Sequence, residues 1–417
     1  MAKDVLFIQF YYGKYDGGSG SKILIDSNYV SLENKSINEE YFLCNGFSSM
    51  YTRCKEIGDF YWVNYNLDGN FDEILSKNKG IELPINRGTA YISVYYNVHL
   101  YQTYLWAIKY PEINFIVGGP ALDKKKIQCE LPKNLLLVYE PLNIFLKGKE
   151  AWGIEIPKTI KGKRILFGFP VERTCYWGKC TFCSYAQKKQ PGSEKFDCNF
   201  ANSLSSENYN RIFLTSPSLS QSFLLDKLPF LVSKPHIEYW ASLRADKYIE
   251  PIIEQAFKNC IKKGFALNRF SPLTGIEFPS NRMLSIMNKG MSIQQILNYL
   301  DVLYRYKCKI ALSFIVGWNN LTPDDITEAR QFFKKLFSIT QGKIIIKFHY
   351  LAFKINTPLF DQNTNLTQVK LGQFLLGATP TLSQEQVELN KQYRHELFSA
   401  GFLYLWDQSD NLIYEFL

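Results

Sequence analysis

The chain has 417 residues, more than a single hydrophobic core usually organises, so two or three domains are expected. A hydrophobic content of 46% with 16% aromatics excludes a disordered chain, and no run of eighteen apolar residues suggests a membrane span. The net charge of +9 is spread thinly, with only short runs such as Lys124–Lys126, so no nucleic-acid arm is expected. Nine cysteines, an odd number, and an N-terminus that reads as a strand and not as a secretory signal point to a reducing, cytoplasmic compartment.

Residues 1–150 read as an α/β domain. Val5–Phe10, Phe60–Tyr65 and Ala90–Val94 are strand patterns, Tyr101–Lys109 is helical, and Asn114–Val117 runs into the turn Gly118-Gly-Pro120. Strands alternating with helices predict a parallel sheet of Rossmann-like type. The loop Gly17-Gly-Ser-Gly20 lacks the full dinucleotide spacing.

Residues 151–360 carry six strand–helix units, with strands at Arg164–Pro170, Arg211–Thr215, His236–Arg244, Phe270–Glu277, Lys309–Val316 and Lys343–Tyr350. At the end of the first lies the run Arg173-Thr-Cys-Tyr-Trp-Gly-Lys-Cys-Thr-Phe-Cys183, which places Cys175, Cys180 and Cys183 within nine residues. Iron–sulfur cubanes are held by cysteine thiolates, usually four. Three thiolates without a nearby fourth leave one iron open, as an open zinc position does in catalytic zinc sites. A structural zinc site is the competing reading, but its fourth ligand would have to be Cys198 or His236, both distant in sequence. Buried structural cysteines are a further alternative.

This cysteine run resembles that of the radical S-adenosylmethionine superfamily, whose usual spacing is C-x3-C-x2-C. Here the first gap is four residues, and Phe182 supplies the aromatic before the last cysteine. The resemblance implies a partial (β/α)6 barrel with its site at the carboxyl ends of the strands. It also implies one 4Fe–4S cluster on Cys175, Cys180 and Cys183, and S-adenosylmethionine on the open iron, cleaved to a 5′-deoxyadenosyl radical after reduction by an external electron donor. Gly275-Ile-Glu277 with Met287-Asn-Lys-Gly290 is similar to the pattern of the cobalamin-linked branch. From that likeness Glu277 is expected at the ribose or amino group of the cofactor, Arg244 at its carboxylate, Thr215 and Ser216 at its methionyl part, and Gly317 and Trp318 beside adenine. Ile92–Pro120 resembles the cobalamin-binding domain of that branch, but the Asp-x-His-x-x-Gly signature is absent. Cobalamin binding is therefore left open.

Residues 361–417 read as a small α+β tail: a helix over Gln384–Ala400, then a hairpin from Leu403–Trp406 and Leu412–Phe416. No cysteine follows Cys308, so a second cluster is not expected. The resemblance further implies a maturase of ribosomally made precursor peptides. The expected outcomes are excision of a tyrosine-derived unit (a splicease reaction), Cα epimerisation, or cobalamin-dependent methyl transfer. Epimerisation needs a hydrogen donor, for which Cys198 is the candidate; Cys260 and Cys308 precede strands and fall at the wrong end of the barrel. His349, near the end of the sixth strand, and Tyr350 are candidates for catalytic contacts inside the barrel. No leader-binding module is visible, which suggests a separate leader-binding partner protein.

Overall fold

The computed structural model describes residues 4–11, 40–44, 58–65, 70–94, 96–119, 121–124, 127–139, 164–172, 174–183, 211–231, 237–355, 357–362 and 365–407. The loop at Gly17, Cys198 and the segment Leu412–Phe416 lie outside them. Among the described residues no helix is long and apolar enough to cross a membrane.

The first part runs β1 (Val5–Tyr11), β2 (Glu40–Cys44), β3 (Asp59–Asn64), α1 (Phe71–Asn78), β4 (Gly88–Ser93), α2 (Asn97–Lys109), β5 (Ile113–Gly118) and β6 (Leu135–Leu137). Five of these strands form a parallel sheet in the order β3-β1-β4-β5-β6. The order is that of a flavodoxin-like doubly wound sheet, with its switch point between β1 and β4. The apolar run of β1 has a physical reason: Leu6, Ile8 and Phe10 enter the core under α2, while Phe7 on the opposite face joins the core of the second sheet. A strand buried on both faces cannot alternate with polar residues. α1 starts at Asn70, whose side chain accepts from Glu73 N at 2.9 Å while the Glu73 carboxylate accepts from Asn70 N at 2.9 Å. That reciprocal cap satisfies two otherwise orphaned amides.

The second part runs β7 (Arg164–Pro170), β8 (Arg211–Thr215), β9 (Glu238–Ser242), α3 (Glu250–Lys262), β10 (Phe270–Glu277), α4 (Asn281–Ile286), α5 (Ile293–Arg305), β11 (Ala311–Val316), α6 (Pro323–Thr340) and β12 (Ile345–Tyr350). Strands β7 to β12 lie side by side, in sequence order and parallel, at the six places read from the sequence. Burial alternates along them. On β11 Leu312, Phe314 and Val316 are buried, while Ser313 and Ile315 are half-buried. In the same way β12 buries Ile346 and Phe348 and leaves Lys347 and His349 half-buried. One face therefore packs against the helices and the other lines a more open interior. Each apolar side chain buried this way contributes about 1.5–3 kcal/mol before chain entropy is counted. Capping boxes at Ser292 and Thr322, the latter followed by Pro323, fix where α5 and α6 begin.

The tail holds β13 (Phe353–Lys354), β14 (Leu366–Leu371), β15 (Phe374–Pro380), α7 (Gln384–Phe398) and β16 (Tyr404–Asp407). Strands β14 and β15 form an antiparallel pair that the sequence reading missed. Where the first arm of a terminal hairpin is expected, Tyr404–Asp407 pairs in parallel with β12; the second arm lies outside the described residues. At the opposite edge β2 pairs in parallel with β7, so eight strands form one sheet that draws on residues from all three expected segments. Phe374 and Leu376 of β15 join the core of the first sheet.

At the switch point of the first sheet His99, in the first turn of α2, stacks on Phe10 with ring centroids 4.4 Å apart and meets Tyr65 edge-on at 5.1 Å. Burial pushes its imidazole down from 6.5 to about 3. The unfolded chain takes up a proton below pH 6.5 and the folded chain does not, so stability falls as the pH drops from 6.5 towards 3, by about 1.4 kcal/mol per unit. His99→Phe is expected to remove that part of the slope, measured as urea midpoints of the full chain between pH 7 and about 4.5.

Candidate active site at the cysteine loop

The cysteine loop leaves the carboxyl end of β7 and is pinned to the turn after α4. Thr181 N donates to Met287 O at 3.1 Å, the Thr181 hydroxyl reaches Ile286 O at 3.4 Å, and Trp177 Nε1 donates to Asn288 O at 2.7 Å. Cys183 N donates to Cys180 O at 3.3 Å, which closes a turn between two of the thiols. Gly290 has φ +64°, and a β-carbon there would land on the Trp177 ring. Glycine at this position lets the two segments close up.

Arg244, just beyond β9, binds the loop from beneath. Its Nε meets Asp246 Oδ2 at 3.0 Å, Nη2 donates to Lys289 O, and Nη1 lies 3.6 Å from Cys180 Sγ. Its face covers the Trp177 ring at 5.1 Å. Asp246 is fully buried and also accepts from the Tyr176 hydroxyl at 2.7 Å and from the amides of Tyr248 and Ile249 at the start of α3. Burial and the neighbouring Asp246 carboxylate together hold the Tyr176 phenol well above its ordinary value. The guanidinium expected at a cofactor carboxylate thus lies beside Cys180, held by Asp246 and the Lys289 carbonyl.

Glu277 ends β10 with φ +69°, at a bulge in its pairing with β11. Its carboxylate pairs with Lys289 Nζ at 3.1 Å and accepts from the Ser313 hydroxyl at 3.5 Å. The absent side chain of Gly275 makes room for it, since a β-carbon there would overlap Oε1. Lys289 also lies over the Phe182 ring at 5.4 Å. It stands inside the Asn-Lys-Gly motif but was not singled out from sequence. Gly317 has φ +91°, and a β-carbon would sit 2.8 Å from the Tyr350 ring. Trp318 is buried, donates Nε1 to Ile315 O at 2.9 Å, and meets Phe182 edge-on at 6.3 Å. Asn390 of α7 accepts from Gly317 N and Trp318 N at 2.7 and 3.1 Å and donates to Trp318 O at 2.7 Å. It is a second positioning residue unseen in the sequence.

Thr215 is half-buried at the end of β8, and the Ser216 hydroxyl donates to Ser218 O at 2.9 Å. His349 and Tyr350 close β12, level with Ile315 and Val316. Glu172, two residues past β7, accepts from Ser220 N at 2.7 Å. Burial raises its carboxyl above the ordinary value, against the hydrogen bonds from Ser220 and Ser216. Among the described residues no three His, Cys, Asp or Glu side chains converge on a single ion position. The structure thus brings Cys175, Cys180, Cys183, Phe182, Arg244, Glu277 and Trp318 to the carboxyl edge of one sheet.

The buried Lys289–Glu277 pair generates a stability test. Lys289→Met leaves a carboxylate buried without its cation and is expected to cost about 3–5 kcal/mol. The double change Lys289→Met with Glu277→Gln should recover part of that loss. Denaturant midpoints of the four proteins in the cycle measure the coupling.

No protein-family model and no curated protein matches this sequence. Solved structures do. The cobalamin-dependent S-adenosylmethionine radical enzyme OxsB, with aqua-cobalamin and S-adenosylmethionine bound, aligns over 94% of this chain at a TM-score of 0.55 and 12% identity. The chain spans 66% of the length of that structure. The radical S-adenosylmethionine methyltransferase TsrM from Kitasatospora setae, with cobalamin and a [4Fe-4S] cluster bound, aligns over 98% of this chain and 88% of its own, at a TM-score of 0.53 and 9% identity. The chain therefore has the α/β fold, with parallel sheets, of the cobalamin-dependent radical S-adenosylmethionine enzymes.

Proposed function

We propose that the protein is a radical S-adenosylmethionine iron–sulfur enzyme, with β7–β12 as the partial (β/α)6 barrel. The observation that carries this reading is the loop of Cys175, Cys180 and Cys183. It stands at the carboxyl end of the first of six consecutive parallel strands, with a guanidinium 3.6 Å from one thiol. The donor set fits a cubane: three thiols, none in a disulfide, spread along one loop, and a cation beside Cys180 that offsets negative charge gathered there. A cluster held by Cys175, Cys180 and Cys183 would supply an electron for splitting bound S-adenosylmethionine. Phe182, Trp318 and the buried Lys289–Glu277 pair pack together at the same edge and exclude water there.

The carboxyl edge of the first sheet fits a cobalamin as well. His99 Nδ1 and Tyr65 Oη are buried there without a hydrogen-bond partner, at the switch point where doubly wound sheets take ligands. A cobalamin held there would supply a methyl carrier. Of the outcomes expected from sequence, methyl transfer has the description of one aligned enzyme, the methyltransferase TsrM, behind it, both enzymes being described with cobalamin, and we adopt it. A second reading keeps the precursor peptide, a leader-binding partner and excision of a tyrosine-derived unit. What supports it over epimerisation is that Cys260 and Cys308 are buried on the segments that enter the amino ends of β10 and β11, remote from the cysteine loop.

Anaerobic reconstitution tests the reading. About four iron atoms per chain are expected, with cleavage of S-adenosylmethionine on reduction, and both should be lost in Cys175→Ala, Cys180→Ala and Cys183→Ala. A corrinoid spectrum with methylated product favours methyl transfer. A peptide shortened by excision favours the second reading. Bound zinc, or S-adenosylmethionine left intact by the reduced protein, refutes both.

A further inference from the structure

Nine large apolar side chains stand exposed among the described residues, and three of them, Tyr176, Tyr248 and Ile286, lie on the segments that form and hold the cysteine loop. Single exposed apolar residues are ordinary, but a group of them marks a contact surface. Two of the three are held through one carboxylate. The Tyr176 ring is 38% exposed while its hydroxyl donates to Asp246 Oδ2 at 2.7 Å. Tyr248 is 45% exposed, and its amide donates to Asp246 Oδ1 at 3.0 Å. Gln221 Nε2 fixes the same residue from the other side, donating to Tyr248 O at 3.0 Å. Asp246 also binds Arg244, whose Nη1 lies 3.6 Å from Cys180 Sγ. Ile286 is tied to the loop through its carbonyl, which accepts from the Thr181 hydroxyl. Aromatic rings fixed before contact lose little freedom on binding, as an interface anchor requires.

The charge on these segments is one-sided. Lys179 and Lys247 are exposed, and their ammonium groups lie over rings, that of Trp177 at 5.2 Å and that of Tyr248 at 5.1 Å. Elsewhere on the surface Lys258, Lys309 and Arg305 sit beside carboxylates. Across 174–183, 244–249 and 285–290 the exposed residues include no aspartate or glutamate. A ring attracts an ammonium without neutralising it. Fixed aromatics beside uncompensated cations are complementary to an acidic protein surface. Position decides which acidic protein. Tyr176 is next to Cys175 in the chain and Lys179 next to Cys180, whereas a substrate has to reach the interior lined by the half-buried faces of β11 and β12. We propose that the outer side of the cysteine loop, with Tyr176, Tyr248, Lys179 and Lys247, docks a small acidic protein that carries one electron to the cluster. This rests on the function proposed above. The carrier is oxidised by one electron, the cluster is reduced by one, and no bond forms or breaks. So few anchors make a small contact, in keeping with the brief encounters of electron-transfer proteins. An acidic peptide substrate is the competing occupant.

The charge-reversed double variant Lys179→Glu with Lys247→Glu tests the assignment, and Tyr248→Ser removes an anchor without touching the charges. The probes are a reduced plant-type ferredoxin, an acidic low-potential carrier, and reduced methyl viologen, a small cation that needs no docking surface. Reduction of the reconstituted protein is followed by the loss of cluster absorbance, and binding of oxidised ferredoxin by calorimetry. The wild-type rate with ferredoxin is expected to fall steeply as salt is raised. At low salt the double variant should be slower by about tenfold or more, with little salt dependence left. Tyr248→Ser should weaken ferredoxin binding by about fivefold or more, the loss of one anchor. Reduction by methyl viologen should not slow in either variant, and the iron content should not change. Equal ferredoxin rates and affinities in wild type and double variant, or a loss of the same size with both donors, overturn the assignment. So does an Asp- and Glu-rich peptide that loses its binding to the double variant while reduction by ferredoxin is untouched, since the surface then belongs to a substrate. A wild-type protein that holds zinc, or a cluster that neither donor reduces, refutes the parent function. Reduction by methyl viologen with no response to the variants refutes this assignment alone.

Discussion

One guanidinium holds the cysteine loop in place. Arg244 is buried, and a buried cation is tolerated only when each donor finds an acceptor. It satisfies Asp246, the Lys289 carbonyl and the sulfur of Cys180, and it lies flat on Trp177. These partners belong to three different segments. Asp246 itself caps the start of α3 and anchors Tyr176. The loop, the end of β9, the start of α3 and the turn after α4 therefore share a single charge network. A lysine could not replace the arginine, because one ammonium cannot present a planar fork to three directions and a face to an indole. The loop is thus ordered by protein contacts at its backbone, at Trp177 and at the sulfur of Cys180.

The same edge of the sheet concentrates unusual backbone. Glu277, Asn288, Gly290 and Gly317 all have positive φ. For Glu277 this conformation costs about 1 kcal/mol or more, and it survives because Lys289 and Ser313 hold the side chain. The bulge between Gly275 and Glu277 shifts the register of β10 against β11 and brings the carboxylate over the gap that Gly275 leaves open. Strain and pairing here are one arrangement. The glycine is needed because of where the carboxylate goes, and the carboxylate goes there because a buried ammonium awaits it.

What the sequence made legible follows from distance along the chain. The cysteine triplet, the strands and the Gly-Ile-Glu motif are local patterns, and the structure places them together at one edge. Asn390 was illegible because it sits in α7 with the look of a solvent-facing polar residue. Only docking of that helix turns its amide towards Gly317 and Trp318. The pairing of β2 with β7 joins segments more than a hundred residues apart in parallel, a contact with no turn to announce it. Trp318, expected beside adenine from the family likeness, is fixed by a contact that no local pattern announces: its indole N–H finds Ile315 O and the ring is buried.

The tail is where these strands of argument meet. Its hairpin places Phe374 against Tyr101 and Tyr104 of α2, in the core of the first sheet. Its helix α7 clasps Gly317 and Trp318 through Asn390, and its last strand β16 extends the large sheet beside β12. One short segment thus grips the first sheet, the rim of the cysteine site and the edge of the second sheet. Because Phe7 and Val138 of the first part already pack into the core of the second, the two sheets share apolar surface on one side and a common strap on another. A junction gripped on two sides suits the function proposed above, in which a carrier at the switch point of the first sheet would have to meet a site at the carboxyl edge of the second. Small displacements between two reacting groups cost orders of magnitude in rate, and the tail supplies the constraint that a flexible linker could not.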